Sequence, residues 1–183
     1  YTVDMRIIGD DGKLLPHDGK AFGELQVKGH AIIDGYHEDE EASVAAMTED
    51  GWLKTGDVAR ITPEGFMMLV DRTKDLIMSG GEWISSIDLE NAAQGHPSIM
   101  ECAVISAYHP QWGERPLLIA VTENNVTLNL EDIHEYLNDK VAKWWLPDDV
   151  VFVEELPHTA TGKISKMTLR EQFKDYKFEH SES

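Results

Sequence analysis

A chain of 183 residues, 42% hydrophobic and 27% charged, is long enough to bury a core, and none of its apolar runs approaches the roughly 20 residues of a membrane-spanning helix. Sixteen Lys and Arg against 34 Asp and Glu leave a formal charge of −18, spread along the chain, which repels a phosphate backbone and excludes the basic face of a nucleic-acid binder. The single cysteine, Cys102, excludes a disulfide within the chain and favours a reducing, cytoplasmic setting.

Residues 1–8 alternate polar and apolar, as do residues 22–29, and a glycine- and aspartate-rich turn signal at residues 9–13 lies between them. This pattern predicts two half-buried strands joined by a tight turn. Tyr1 is not a methionine and already reads as strand, so the chain is expected to begin inside something longer. Residues 39–50 have the acidic first turn and small apolar stripe of a short helix, ending before Gly51. Residues 51–62 and 65–72 form a second predicted hairpin around Pro63-Glu64-Gly65.

From Asp71 the pattern changes. A short charged hairpin broken at Ser79-Gly80-Gly81 leads to a predicted helix over residues 85–96, with serines at its start and Gly95 near its end. Strands follow at 101–108, with Cys102 as a small buried residue, and at 117–123, separated by the loop of residues 109–116. A helix over 129–144 carries Ile133, Leu137 and Val141 on one face, then a strand at 148–156 and a last helix at 165–173. The polar end, residues 180–183, is expected to fray. The order predicts an α+β fold: residues 1–70 as the β-rich end of a larger domain, and residues 71–183 as a small domain whose helices cover a short mixed sheet.

Residues 157–166 contain Gly162-Lys163 but are not a phosphate loop, because Pro157 and Ile164 stand where that loop needs a glycine and a hydroxyl. What remains is a lysine on a Thr- and Gly-rich turn, either a solvated side chain or a compact cation able to follow moving negative charge. Asp57, after Gly56 at a strand start, either makes a turn or accepts two ribose hydroxyls, and Arg72 either pairs with a carboxylate or supports the same ligand. The eight histidines lack paired metal spacing, and no serine sits in a hydrolase elbow. Trp112, Trp144 and Trp145 are read as packing residues.

Four stretches occur in an informative order: residues 22–36 (FGELQVKG…GY), 51–57 (GWLKTGD), 71–90 (DRTKDLIMSGGEWISSIDLE) and 157–166 (PHTATGKISK). They resemble the last four signature motifs of the adenylate-forming enzymes, and residues 79–90 and 109–121 are most similar to fatty-acyl and related acyl-CoA ligases. The resemblance implies the C-terminal portion of an enzyme that joins a carboxylic acid to AMP, using ATP and Mg²⁺, then passes the acyl group to coenzyme A. It implies that Lys163 bridges the acyl carboxylate and the α-phosphate, that Asp57 and Arg72 hold the nucleotide, and that Asp71 is a hinge. It also implies that Gly80, Gly81 and Glu82 approach the pantetheine arm, with Trp83 walling the thiol tunnel or simply packing.

The loop for the β- and γ-phosphates and the acyl pocket lie earlier in that family's sequence, as would a homodimer contact. The 183 residues alone are therefore expected to be inactive. Two other readings remain: a binding module that keeps the fold without catalysis, and an adenylation domain of a peptide synthetase.

Overall fold

The computed structural model describes residues 3–33, 35–123 and 126–178, so the terminus expected to fray lies outside the described part. The chain divides into two units, residues 1–74 and 75–183. The fold is α+β, built of mostly antiparallel strands with few helices. Among the described residues no helix is long and apolar enough to cross a membrane.

In the first unit, β1 (Asp4–Ile8), β2 (Phe22–Lys28), β3 (Leu53–Ile61) and β4 (Met67–Arg72) form an antiparallel sheet in chain order. Alternation places Ile7, Leu25, Ala59 and Ile61 together as its core. The β1–β2 connection is not the tight turn expected: Leu14 bridges back to Ile8, and the Leu15 N–H donates to the Ile7 carbonyl at 2.9 Å. The turn signal at Gly9 and Gly12 is real, but it folds the chain along β1 before residues 16–21 carry it to β2. The β3–β4 hairpin closes as expected, with the Gly65 N–H on the Thr62 carbonyl at 2.9 Å. Helix α1 (Glu40–Ala46) begins where Asp39 accepts the Ala42 N–H, and Glu40 and Glu41 favour its positive end.

In the second unit, β5 (Ile77–Ser79), β6 (Glu82–Ile84), β7 (Ile99–His109) and β8 (Gly113–Thr122) are antiparallel in the order β6-β5-β8-β7. Strand β9 (Asp149–Phe152) joins β8 in parallel, which makes the sheet mixed. The apolar run of β8 is buried on both faces, as a central strand demands. Leu118 and Ala120 face Leu89 of α2 (Ser86–Gln94) and Ile133 of α3 (Leu130–Leu137). Leu117 and Ile119 share the other cluster with Leu169 of α4 (Lys166–Gln172).

Several boundaries differ from the sequence expectation, among them the strand expected at 148–156, which ends at Phe152, and two differences have a clear local cause. The loop expected at residues 109–116 is mostly strand, because Gly113, at φ 79°, turns the chain at once and β8 starts there. Helix α3 stops at Leu137, where the Lys140 ammonium takes the Tyr136 carbonyl and Val141 reaches the core through a turn. What remains of the expected helix is one 3-10 turn at Lys143–Trp145. Cys102 is buried on β7, and its thiol is pushed up to about 12 by burial and then by the Glu90 carboxylate, so it behaves as a small apolar residue rather than a nucleophile.

Candidate functional site

Asp57 owes its position to a local break in β3. The Thr55 hydroxyl donates to the Leu25 carbonyl at 3.0 Å and accepts the Asp57 N–H at 3.1 Å, while Gly56 takes a positive φ of 72°. The register slips between Glu24 and Gln26 on one side and between Val58 and Ala59 on the other, leaving Asp57 directly opposite Arg72. Arg72 Nε lies 3.2 Å from Asp57 Oδ1, with the two side chains 62% and 25% exposed. A pair this open contributes about 1 kcal/mol at most to stability, and it sets an acceptor and a cation side by side. The structure thus brings together two residues the sequence left as separate candidates.

Asp71 is buried on β4 opposite Val58, with its carboxylate accepting the Arg72 N–H at 2.7 Å. It stands just before the end of the first unit at Lys74.

In the second unit the paired glycines form the two-residue turn between β5 and β6, with φ 58° at Gly80 and 87° at Gly81. A two-residue hairpin of the type I′ kind, whose twist matches the strands, needs left-handed backbone at both positions, which explains why two glycines interrupt a charged arm. Gly80 has a second constraint: its N–H donates to the Trp112 carbonyl at 2.9 Å, and a Cβ there would meet Trp112 Cε3 at 2.8 Å. Gly81 faces open space. Glu82 is exposed, and Trp83 is half-buried opposite Met78.

Beside this turn runs a groove of about 390 Å³ lined by Ser79, Gly80, Glu82, Trp112, Arg115, Trp144 and Asp148. Its floor is pinned by Arg115, which donates to Ser79 Oγ at 2.9 Å, to the Trp144 carbonyl at 2.8 Å and to Asp148 at 2.7 Å. Trp83 is not among the lining residues. Trp112 and Trp144, read from the sequence as packing residues, are 46% and 43% exposed and form the walls. Their presence in one groove depends on the Gly113 turn and the 3-10 turn, neither visible as a motif; the one available signal was a tryptophan directly before a turn-forming glycine.

Lys163 stands exposed at the end of a tight loop closed on its own backbone. Thr159 and Lys163 pair N–H to carbonyl at 2.7 Å, the Gly162 N–H reaches the Thr159 carbonyl at 2.9 Å with φ 80°, and the Thr159 hydroxyl accepts the Lys163 N–H at 3.2 Å. Below this, the Ser165 N–H donates to the Pro157 carbonyl at 2.7 Å. The ammonium is therefore held out to solvent on a stiff base. Among the described residues no three His, Cys, Asp or Glu side chains gather as a metal site.

Residues 88–163 match the AMP-binding enzyme C-terminal domain. The chain is 49% identical to a 3-methylmercaptopropionyl-CoA ligase of Ruegeria pomeroyi over 96% of its own length and 32% of the relative's. It is 48% identical to a medium-chain-fatty-acid–CoA ligase of Ectopseudomonas oleovorans over 100% of the chain and 33% of the relative. The ATP-bound crystal structure of MatB from Rhodopseudomonas palustris superimposes with a TM-score of 0.82 at 31% identity, covering 96% of this chain and 35% of MatB. The chain thus spans about a third of the length of the curated relatives it matches.

Proposed function

We propose, from the premise that this chain belongs to the AMP-binding enzymes and carries their C-terminal domain, that the protein it is part of is an AMP-forming acyl-CoA synthetase acting on a fatty or related carboxylic acid. The acid's carboxylate oxygen attacks the α-phosphorus of ATP, pyrophosphate leaves, and the thiol of coenzyme A then displaces AMP from the acyl adenylate. The observation that carries this reading is that the second unit offers two different reactive edges: an exposed lysine on a stiff loop, and a glycine turn beside a tryptophan-walled groove.

In the first step, Lys163 neutralises charge moving between the acyl carboxylate and the α-phosphate, a task suited to a compact ammonium. Asp57 accepts the ribose hydroxyls, and Arg72 supports the same nucleotide from the opposite strand. In the second step the small domain has turned about Asp71, and Gly80, Gly81 and Glu82 lie along the pantetheine arm, with Trp83 behind the turn. Backbone without a Cβ allows that close approach. The triphosphate, Mg²⁺, the acyl pocket and any homodimer contact belong to residues outside these 183, which alone are inactive in this reading. Its location is cytoplasmic.

The test is acid-dependent exchange of labelled pyrophosphate into ATP by the protein containing this chain, followed by acyl-CoA formation. Absence of exchange across short, medium and long acids, with and without a thioether, would sink the proposal. For the hinge, Asp71→Pro is expected to slow thioester formation more than adenylation, since proline fixes φ. Equal rates for the two steps in that variant would remove the hinge from Asp71.

A further inference from the structure

Three residues after the exposed Lys163, a second lysine has the opposite environment. Lys166 begins α4 and turns inward: its ammonium lies 2.7 Å from Glu90 Oε1 and donates to Ser86 Oγ at 2.6 Å, both on α2. The Lys166 and Glu90 side chains are only 15% and 19% exposed, and Ser86 is fully buried. The same Glu90 oxygen accepts the Val104 N–H of β7 at 2.7 Å, so one carboxylate ties α2, β7 and α4 at a single point. The other leg of the lysine loop is also tethered to β7, where His158 Nε2 lies 3.3 Å from Glu101 Oε1.

The bonds inside the loop hold the shape of its tip, whereas ties of this kind, together with the packing of Leu156, Ile164 and Leu169 in one apolar cluster, fix where the tip points relative to the domain body. Helix α2 follows directly from the glycine turn, through β6 and Ser85. The Lys166 contact therefore also sets the lysine loop against the glycine turn, across 80 residues of sequence. A charge pair this shielded holds one geometry firmly, because releasing either partner leaves the other poorly solvated.

We propose that Lys166 is a positioning residue for the adenylation step, acting through Glu90 and Ser86 to aim the Lys163 loop; this rests on the synthetase reading above. Misplacing a reacting group by about 1 Å costs on the order of 100-fold in rate. In the protein containing this chain, Lys166→Met is expected to lower acyl-AMP formation by roughly 10- to 100-fold. Thioester formation from supplied acyl-AMP should stay within about two-fold, and Lys166→Arg should restore part of the lost rate, because the cation returns in a larger, planar shape. Deuterium uptake across residues 159–165 should rise in Lys166→Met and clearly less in Lys166→Arg, a readout independent of activity.

Parallel loss of both half-reactions, unchanged adenylation, or unchanged uptake would each overturn the assignment. A wild-type protein that makes no acyl-AMP would refute the synthetase reading instead, and the deuterium-uptake comparison would still decide whether Lys166 holds the lysine loop. Should Lys166→Met fail to fold, Ser86→Ala removes one of the two acceptors and carries the same signature at smaller amplitude; its absence overturns the proposal equally.

Discussion

Replacing Lys163 with alanine, in the protein that contains this chain, is expected to lower acyl-AMP formation by about 100-fold or more, the loss of on the order of 3 kcal/mol of transition-state stabilisation. Thioester formation from supplied acyl-AMP should survive. The side chain is exposed and the loop is closed by backbone bonds and the Thr159 hydroxyl, so the variant keeps the loop's shape and the domain's stability to within about 0.5 kcal/mol. A rate loss can then be assigned to the missing charge rather than to unfolding. Lys163→Arg should recover only part of the rate, because a planar guanidinium presents its charge in a different shape from an ammonium. Pyrophosphate exchange measures the first half-reaction and a single turnover of acyl-AMP with coenzyme A measures the second. Equal loss in both would remove the role given to Lys163.

Gly80→Val should have the reverse signature: thioester formation down by about 100-fold, a misplacement effect, with adenylation largely retained. Valine at φ 58° is strained by roughly 1–2 kcal/mol, and its Cβ would sit 2.8 Å from Trp112 Cε3. The cheapest relief is a shift of the half-exposed indole, and that indole walls the groove. The damage thus falls on the groove before it falls on the core. Gly81→Ala provides the contrast, since nothing lies within 4 Å of its Cβ position and only backbone strain remains. A smaller loss of thioester formation is expected there. Full thioester activity in Gly80→Val would exclude the glycine turn from the thiol site.

Much of the scaffold was legible because its signals are short-range. Ser85, Asp39 and Asn129 cap the helices that follow them, each through a side chain bonded to an N–H three residues on. Gly80-Gly81 and Pro63-Glu64-Gly65 turn the chain where turn chemistry places them. Failures came where a local signal competed with a longer-range one. The periodicity through Val141 was genuine, since Val141 does reach the core, but a turn delivers it there and not a continuing helix. Gly9 and Gly12 make a turn, but Leu14 pairs with β1 before the chain reaches β2.

By itself, the sequence determined most of the strands and helices, the exposed lysine turn and the glycine hairpin, because each depends largely on residues within about four positions of one another. Only the tertiary structure decided that Asp57 faces Arg72, which took a register slip on each side of β3. It also decided that Trp112 and Trp144 line one groove with Arg115, and that Lys166 reaches Glu90 and Ser86 on another helix. Those pairings depend on sheet register and on which helix lies over which strand. They are fixed when the whole core packs, and no short stretch of chain encodes them alone.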